Sequence, residues 1–74
     1  MKKLAKSLFI GIPGTYHICA DKDGELHLFK GTKPNKHKEG YWYGELYKCE
    51  HIEYIHKVYT GKKKWKKAIY TFEV

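Results

Sequence analysis

The sequence has 74 residues, enough for one small domain and too few for a nucleotide-binding unit beside a separate substrate domain. Hydrophobic residues make up 42% of the chain and aromatic residues 16%, which excludes a disordered tail. Fifteen basic residues against eight acidic ones give a net charge of +7. We therefore expect residues 1–74 to form a single small basic domain whose partner carries negative charge.

All of the basic residues are lysine, and arginine is absent. Lysine presents a mobile point charge, whereas the planar arginine fork can read a guanine edge with two hydrogen bonds. The absence of arginine argues against sequence-specific reading of the major groove. An A/T-rich coding sequence would produce the same bias.

The cysteine content and the N-terminus indicate a cytoplasmic protein. Two cysteines are too few for a disulfide scaffold, although one Cys19–Cys49 bridge is possible in an oxidising compartment. The chain opens with Met1-Lys2-Lys3, but the apolar stretch Leu8–Ile12 is shorter than the roughly 7–15 residues of a secretory core or the roughly 20 of a membrane span. We expect neither a signal peptide nor membrane association.

Alternating apolar and polar residues predict short strands along most of the chain. In the clearest one, Tyr16, Ile18 and Ala20 lie on one side and His17 and Cys19 on the other. A possible first strand carries Leu4, Leu8 and Ile10 on one face, although Lys2–Phe9 fits one or two helical turns as well. The clearest strand spans Thr15–Ala20, and the other predicted strands are Glu25–Lys30, Tyr41–Cys49, Ile52–Thr60 and Lys66–Val74.

Turn residues separate these strands. Asp21–Gly24 predicts a hairpin loop, and Gly31–Gly40 is the longest predicted loop. Gly44 marks a bulge or a close approach of the backbone. The fold class we predict is all-β: a small five- to six-stranded antiparallel barrel or strongly curled sheet, SH3-like or OB-like, because a flat sheet would leave its edges exposed.

Lysine is concentrated, without any acidic residue, in two stretches: Lys30–Lys38 and the segment between Tyr54 and Phe72. By contrast, Glu45–Glu53 holds three Glu and one Lys. Charge is thus segregated along the chain, as a phosphate-binding face requires. The aromatic ring of Trp65 lies among these lysines and could stack on an unpaired base. The alternative is a solvated hairpin whose lysines suppress edge pairing. The candidate binding lysines are Lys33, Lys36, Lys38, Lys62, Lys63, Lys64, Lys66 and Lys67.

A second candidate is the aromatic run Tyr41-Trp42-Tyr43. Strand alternation places Tyr41, Tyr43 and Tyr47 on one face, with Trp42 on the other. A core role for the run is the simpler account, because so small a barrel needs large side chains. The alternative is an exposed aromatic face, in which Trp42 lies inside and Tyr41 and Tyr43 lie at the surface, where they would stack on bases or contact a protein.

A third pattern is the mirrored pair His17-x-Cys19 and Cys49-x-His51. If the two strands paired, two imidazoles and two thiolates would form a tetrahedral zinc set. The spacing differs from that of the usual zinc knuckle, and two unrelated free thiols are the simpler explanation, with a Cys19–Cys49 disulfide as a further alternative. We therefore predict no metal and no cofactor.

Enzymatic motifs are missing from the sequence. Ser7 is the only serine, and neither a nucleophile-plus-base motif nor a glycine-rich phosphate loop occurs. The sequence therefore predicts a non-enzymatic protein that binds RNA or single-stranded DNA with weak sequence selectivity.

The alternative belongs to another class. Small phage proteins that block a host enzyme or nucleoprotein, as host-takeover or anti-defence factors, have this size and lack enzymatic motifs. A phage-type inhibitor or adaptor of this kind would use its lysines to steer towards an acidic protein surface. Tyr41, Tyr43 and Trp65 would then be its main contacts.

Overall fold

The computed structural model describes the whole chain, Met1–Val74, and contains six strands and two short helices. The α-helix α1 has six residues, so no helix of the protein is long and apolar enough to cross a membrane. A single-turn 3-10 helix precedes the last strand. The elements in chain order are α1 Lys2–Ser7, β1 Thr15–Ala20, β2 Glu25–Gly31, β3 Asn35–His37, β4 Tyr41–Tyr43, β5 Cys49–Val58, the 3-10 helix Trp65–Lys67 and β6 Ile69–Glu73.

The strands form two separate antiparallel sheets. The larger sheet has the order β5-β2-β1-β6, and β3 pairs with β4 in a two-stranded ribbon. The all-β prediction is confirmed, but the predicted barrel is wrong because the larger sheet stays open at β5 and β6. The ribbon does not pair with an edge of the larger sheet, and four strands are too few to close into a barrel.

Helix α1 replaces the predicted first strand. The Ala5 N–H donates to the Met1 carbonyl oxygen at 2.9 Å, which closes one helical turn. Leu4 and Leu8 both pack against the sheet. Residues four apart share one side of a helix, and they also share one face of a strand, so the apolar spacing fits both structures.

The sheet is buried on both faces at its centre. Its first face carries seven buried residues, among them Ile18 and Leu28, and α1 packs against them. Its second face carries Cys19, Phe29, Trp42 and Cys49. Every residue from Tyr16 to Ala20 is buried, because β1 is a central strand with a layer on each side. The predicted alternation along β1 is confirmed.

Trp42 attaches the ribbon to the second face. Its side chain is only 4% exposed, and its indole Nε1 donates to the Ala20 carbonyl oxygen at 2.9 Å. The Trp42 backbone N–H donates to Asp21 Oδ1 at 3.1 Å. The Lys22 N–H donates to the Gly40 carbonyl oxygen at 2.8 Å. The ribbon is therefore held at the end of β1 and at the turn that follows it.

A turn at Glu45–Lys48 divides the predicted strand Tyr41–Cys49. The N–H groups of Lys48 and Cys49 both donate to the Glu45 carbonyl oxygen, at 3.0 and 2.9 Å. The close approach predicted at Gly44 is confirmed, since a Cβ there would collide with the Cys49 carbonyl oxygen. The segment Gly31–Gly40 is not a continuous loop as predicted, because its residues Asn35–His37 form β3.

Tyr47, in this turn, has an unusual conformation. Its φ is 66°, in the left-handed region, and its side chain is 98% exposed. A bulky residue in this region costs about 1–2 kcal/mol, and Tyr47 recovers none of it by packing.

Replacement of this residue should therefore stabilise the fold. We expect Tyr47→Asn to raise the free energy of unfolding by about 0.5–1 kcal/mol, because asparagine tolerates the left-handed region. Tyr47→Ala removes the same ring but keeps the backbone cost, and it serves as the control. Urea unfolding of the three proteins measures the difference, and equal stability of the Asn and Ala variants would contradict the explanation.

The ribbon contact is open to a second test. Trp42→Ala should lower the free energy of unfolding by about 3–5 kcal/mol, because it leaves a cavity and removes the indole donor. Tyr43→Ala, on the exposed side of the same strand, should cost less than about 1 kcal/mol. Guanidinium unfolding followed by circular dichroism compares them, and similar losses would argue against Trp42 as the main contact.

Candidate functional site

Two tryptophans bring the distant lysine-rich stretches together. The rings of Trp42 and Trp65 meet edge to face, with centroids 6.2 Å apart and an interplanar angle of 89°. Trp65 lies in the 3-10 helix and Trp42 in the ribbon. The lysine-rich segment before β6 therefore lies against the ribbon, although more than twenty residues separate them in the sequence.

Lys36 lies at this junction. Its Nζ is 5.8 Å from the centroid of the Trp42 ring, within the range of a cation–π contact. Lys66 and Lys67 follow Trp65 in the 3-10 helix, and both are exposed. The exposed lysines of the ribbon and the 3-10 segment form what we call the basic face: Lys33, Lys36, Lys38, Lys64, Lys66 and Lys67.

The structure places two of the predicted lysines elsewhere. Lys62 and Lys63 lie in the loop before the basic face, where the Lys63 N–H donates to the Tyr59 hydroxyl at 3.3 Å. Tyr59 packs against the first face of the sheet. These two lysines are exposed, and the Lys63 backbone contacts a residue of the first face.

The outer side of the ribbon carries a row of aromatic rings. Tyr41 and Tyr43 are 39% and 42% exposed while Trp42 is buried, so the run is not wholly a part of the core and the alternative with Trp42 inside agrees with the structure. The His37 ring stacks on Tyr41 with centroids 4.4 Å apart and meets the edge of Tyr43 at 6.0 Å. The half-buried Trp65 packs on the second face, so it is not a free stacking surface.

The residues of the considered zinc set do not converge. β2 lies between β1 and β5, so the two strands that carry the set do not pair. The buried His17 uses both ring nitrogens, since Nε2 lies 2.8 Å from the Gly31 carbonyl oxygen and Nδ1 lies 2.8 Å from the Thr71 hydroxyl. No group of three or more His, Cys, Asp or Glu side chains is arranged to hold a metal.

The two cysteines are free thiols on the second face of the sheet. Burial raises the pKa of the Cys19 thiol, and the neighbouring Cys49 adds to this shift. Burial also raises the pKa of Cys49. Both side chains are therefore neutral thiols that fill the core.

A chain of polar side chains runs across the second face beside the ribbon. Asp21 Oδ2 lies 3.2 Å from His27 Nε2, and His27 Nδ1 lies 2.9 Å from His51 Nε2. We call Asp21, His27 and His51 the histidine relay. Sequence patterns do not reveal this cluster, because His51 is 24 residues from His27 in the chain and reaches it only through the pairing of β2 with β5.

The carboxylate of Asp21 fixes the direction of these hydrogen bonds. A carboxylate only accepts, so His27 Nε2 carries the proton that it donates to Asp21. With both imidazoles neutral, His27 Nδ1 accepts from His51 Nε2. His51 Nδ1 is then left as a free acceptor on an exposed side chain.

The relay borders an open cavity of about 370 Å³ between the ribbon and the sheet. Its lining includes Tyr41–Gly44 of the ribbon and the buried Phe29 of the sheet. Glu25 also lines it, with Oε2 3.8 Å from His27 Nε2. A hydrogen bond with Asp23, followed by the charge of that residue, raises the pKa of Glu25. No lysine lines the cavity, so carboxylates and aromatic rings dominate its chemistry.

Comparisons of the chain with protein-family models, with curated proteins and with solved structures found no match. The function is therefore inferred from the arrangement of the chain's own residues.

The relay predicts a pH dependence of stability. Burial, followed by the charge of His27, lowers the pKa of His51 below its ordinary value near 6.5. The unfolded chain therefore binds this proton more readily than the folded chain does. The free energy of unfolding should fall as the pH drops from about 7.5 to 5.5.

His51→Gln removes this titration while its amide can still donate to His27. Urea unfolding at both pH values should show a smaller acid-induced loss in the variant than in the unaltered protein. Equal losses in the two proteins would show that His51 does not contribute.

Proposed function

We propose that the protein binds single-stranded nucleic acid, either RNA or single-stranded DNA, with weak sequence selectivity and without catalysing a reaction. One observation carries this proposal: the contact of Trp42 with Trp65 brings Lys36 of the ribbon near the lysine-rich 3-10 segment, and Tyr41 and Tyr43 stay exposed on the same ribbon. Clustered cations beside exposed aromatic rings are the two parts of a single-strand binding site.

The two parts would contact different groups of the strand. Lysine ammoniums neutralise phosphates and release counterions, which lowers the slope of log affinity against log salt by about 0.7 for each contact with a single strand. The rings of Tyr41 and Tyr43 would stack on unpaired bases, at about 1–3 kcal/mol per base. Phosphate contacts carry no sequence information, and lysine lacks the bidentate fork with which arginine reads a base edge. Binding through these lysines would therefore be insensitive to sequence.

A protein partner is the second candidate, favoured by the turn Glu45–Lys48. Leu46 and Tyr47 are 76% and 98% exposed there, and Tyr47 keeps a costly backbone conformation. Exposed apolar and aromatic residues of this kind are typical contacts with proteins. A phage-type inhibitor or adaptor would use this turn for contact and the basic face for electrostatic steering towards a host protein or nucleoprotein.

The salt dependence of binding tests the first proposal. The triple variant Lys36→Gln/Lys66→Gln/Lys67→Gln should make the negative salt slope for an oligouridine less steep by about 2, at 0.7 per lost phosphate contact. The control Lys2→Gln/Lys3→Gln/Lys6→Gln removes the same charge from α1, on the opposite side of the sheet. Fluorescence anisotropy at several salt concentrations measures both slopes.

Equal changes in the two triple variants would show that only total charge matters and would contradict the proposed face. An affinity capture from lysate, with and without nuclease, separates the two candidate functions. Capture of one protein at near-stoichiometric yield after nuclease treatment would favour the inhibitor or adaptor.

A further inference from the structure

The loop that follows α1 exposes apolar side chains on the first face of the sheet. Phe9 is fully exposed, although Leu8 and Ile10 on either side of it pack against the core. Ile12 is 63% exposed in the same loop, and Ile52 of β5 is 39% exposed. Because exposed apolar surface is unfavourable in water, several such side chains at one place indicate a surface that a partner covers.

These exposed side chains line one groove. Its volume is about 240 Å³, and the buried Tyr16 and Leu28 of the first face also line it. We call Phe9, Ile12 and Ile52 the apolar patch. The ribbon packs on the second face of the sheet, so the apolar patch is separate from the proposed nucleic-acid site.

One side of the apolar patch is acidic. Glu50 and Glu53 of β5 line the same groove, together with Lys30. The carboxylates that form ion pairs within the chain belong to other residues, namely Asp21, Glu25 and Glu45. Glu50 and Glu53 therefore have no cationic partner in a protein whose net charge is +7.

The other side of the apolar loop is basic. Ile10 lines both the groove and a second cavity, of about 370 Å³, which Lys2 and Lys6 of α1 border. These two lysines are four residues apart, so they share one side of the helix, and both are exposed. Glu73 also lines this cavity, where its carboxylate accepts from the Thr15 hydroxyl. The first face thus carries opposite net charges on the two sides of its exposed loop.

We propose that the apolar patch joins two copies of this chain in a two-fold symmetric dimer. Both copies of such a dimer use the same surface, so that surface must be complementary to itself. A two-fold axis through the apolar patch brings the two Phe9 rings together. The same axis places the α1 lysines of one copy opposite the β5 glutamates of the other.

The charges of the first face favour a second copy over a nucleic acid as the occupant. Phosphates would be repelled by Glu50 and Glu53, whereas the α1 lysines of a second copy would be attracted. Dimerisation through the first face leaves both ribbons free, because they lie on the second face. The dimer therefore goes beyond the proposed nucleic-acid binding and does not depend on it.

Sedimentation equilibrium over micromolar to millimolar concentrations tests the dimer. The protein is first treated with nuclease, so that no nucleic acid bridges two copies. Because two chains of charge +7 repel at long range, the salt concentration is kept near 0.15 M, where the Debye length is about 8 Å. We expect a reversible dimer whose fraction rises with protein concentration.

Phe9→Ser assigns the contact to the apolar patch. The dissociation constant of the dimer should rise by at least about thirtyfold, as for truncation of a central interface residue. Because the Phe9 side chain is fully exposed, the free energy of unfolding of the monomer should not fall. Tyr47→Asn removes a similarly exposed ring from the turn Glu45–Lys48 and should leave the dimer unchanged.

A charge exchange tests the proposed symmetry. The double variants Glu50→Lys/Glu53→Lys and Lys2→Glu/Lys6→Glu should each be monomeric, because each brings like charges together across the interface. An equimolar mixture of the two should form dimers, since every contact then joins opposite charges. Circular dichroism confirms that both variants are folded.

Three results would overturn the inference without touching nucleic-acid binding. The unaltered protein could stay monomeric at every concentration. Phe9→Ser could dimerise as well as the unaltered protein does, which would exclude the apolar patch. Dimers of either double variant alone, or no dimers in their mixture, would exclude the two-fold arrangement.

Discussion

Burial of the Trp42 indole is the interaction on which the candidate site depends. The ring fills the second face of the sheet and donates to the Ala20 carbonyl oxygen, so it fixes the ribbon against β1. Strand alternation then turns Tyr41 and Tyr43 outwards. The same ring receives Lys36 on one side and the edge of Trp65 on another. One buried side chain thus determines both the position of the aromatic row and the meeting of the two lysine-rich stretches.

Asp21 connects this ribbon to the cavity beneath it. One of its oxygens accepts from the Trp42 N–H, and the other accepts from His27 in the relay. Burial raises the pKa of Asp21, while the hydrogen bond from Trp42 opposes that shift. The carboxylate is therefore held in place by the elements that it joins. Carboxylates line the cavity, whereas the lysines of the basic face lie outside it.

The sequence predicted the local structure more completely than it predicted the candidate site. Alternation along β1 correctly placed Ile18 and Cys19 on opposite faces, and Gly44 correctly marked a close backbone approach. The even spacing of Leu4 and Leu8 could not separate helix from strand, because both structures put these residues on one side. The barrel prediction failed since nothing local indicated that the ribbon would lie on the sheet and not extend it.

By itself the sequence determined the β-rich character, the excess of lysine and the inward direction of Trp42, because composition and alternation act over a few residues. Only the tertiary structure decided which distant side chains meet. The order of the strands placed β2 between β1 and β5, which kept His17 apart from His51 and brought His27 to it. Strand order and register depend on contacts between residues far apart in the chain, and a shift of one residue would turn every side chain to the other face.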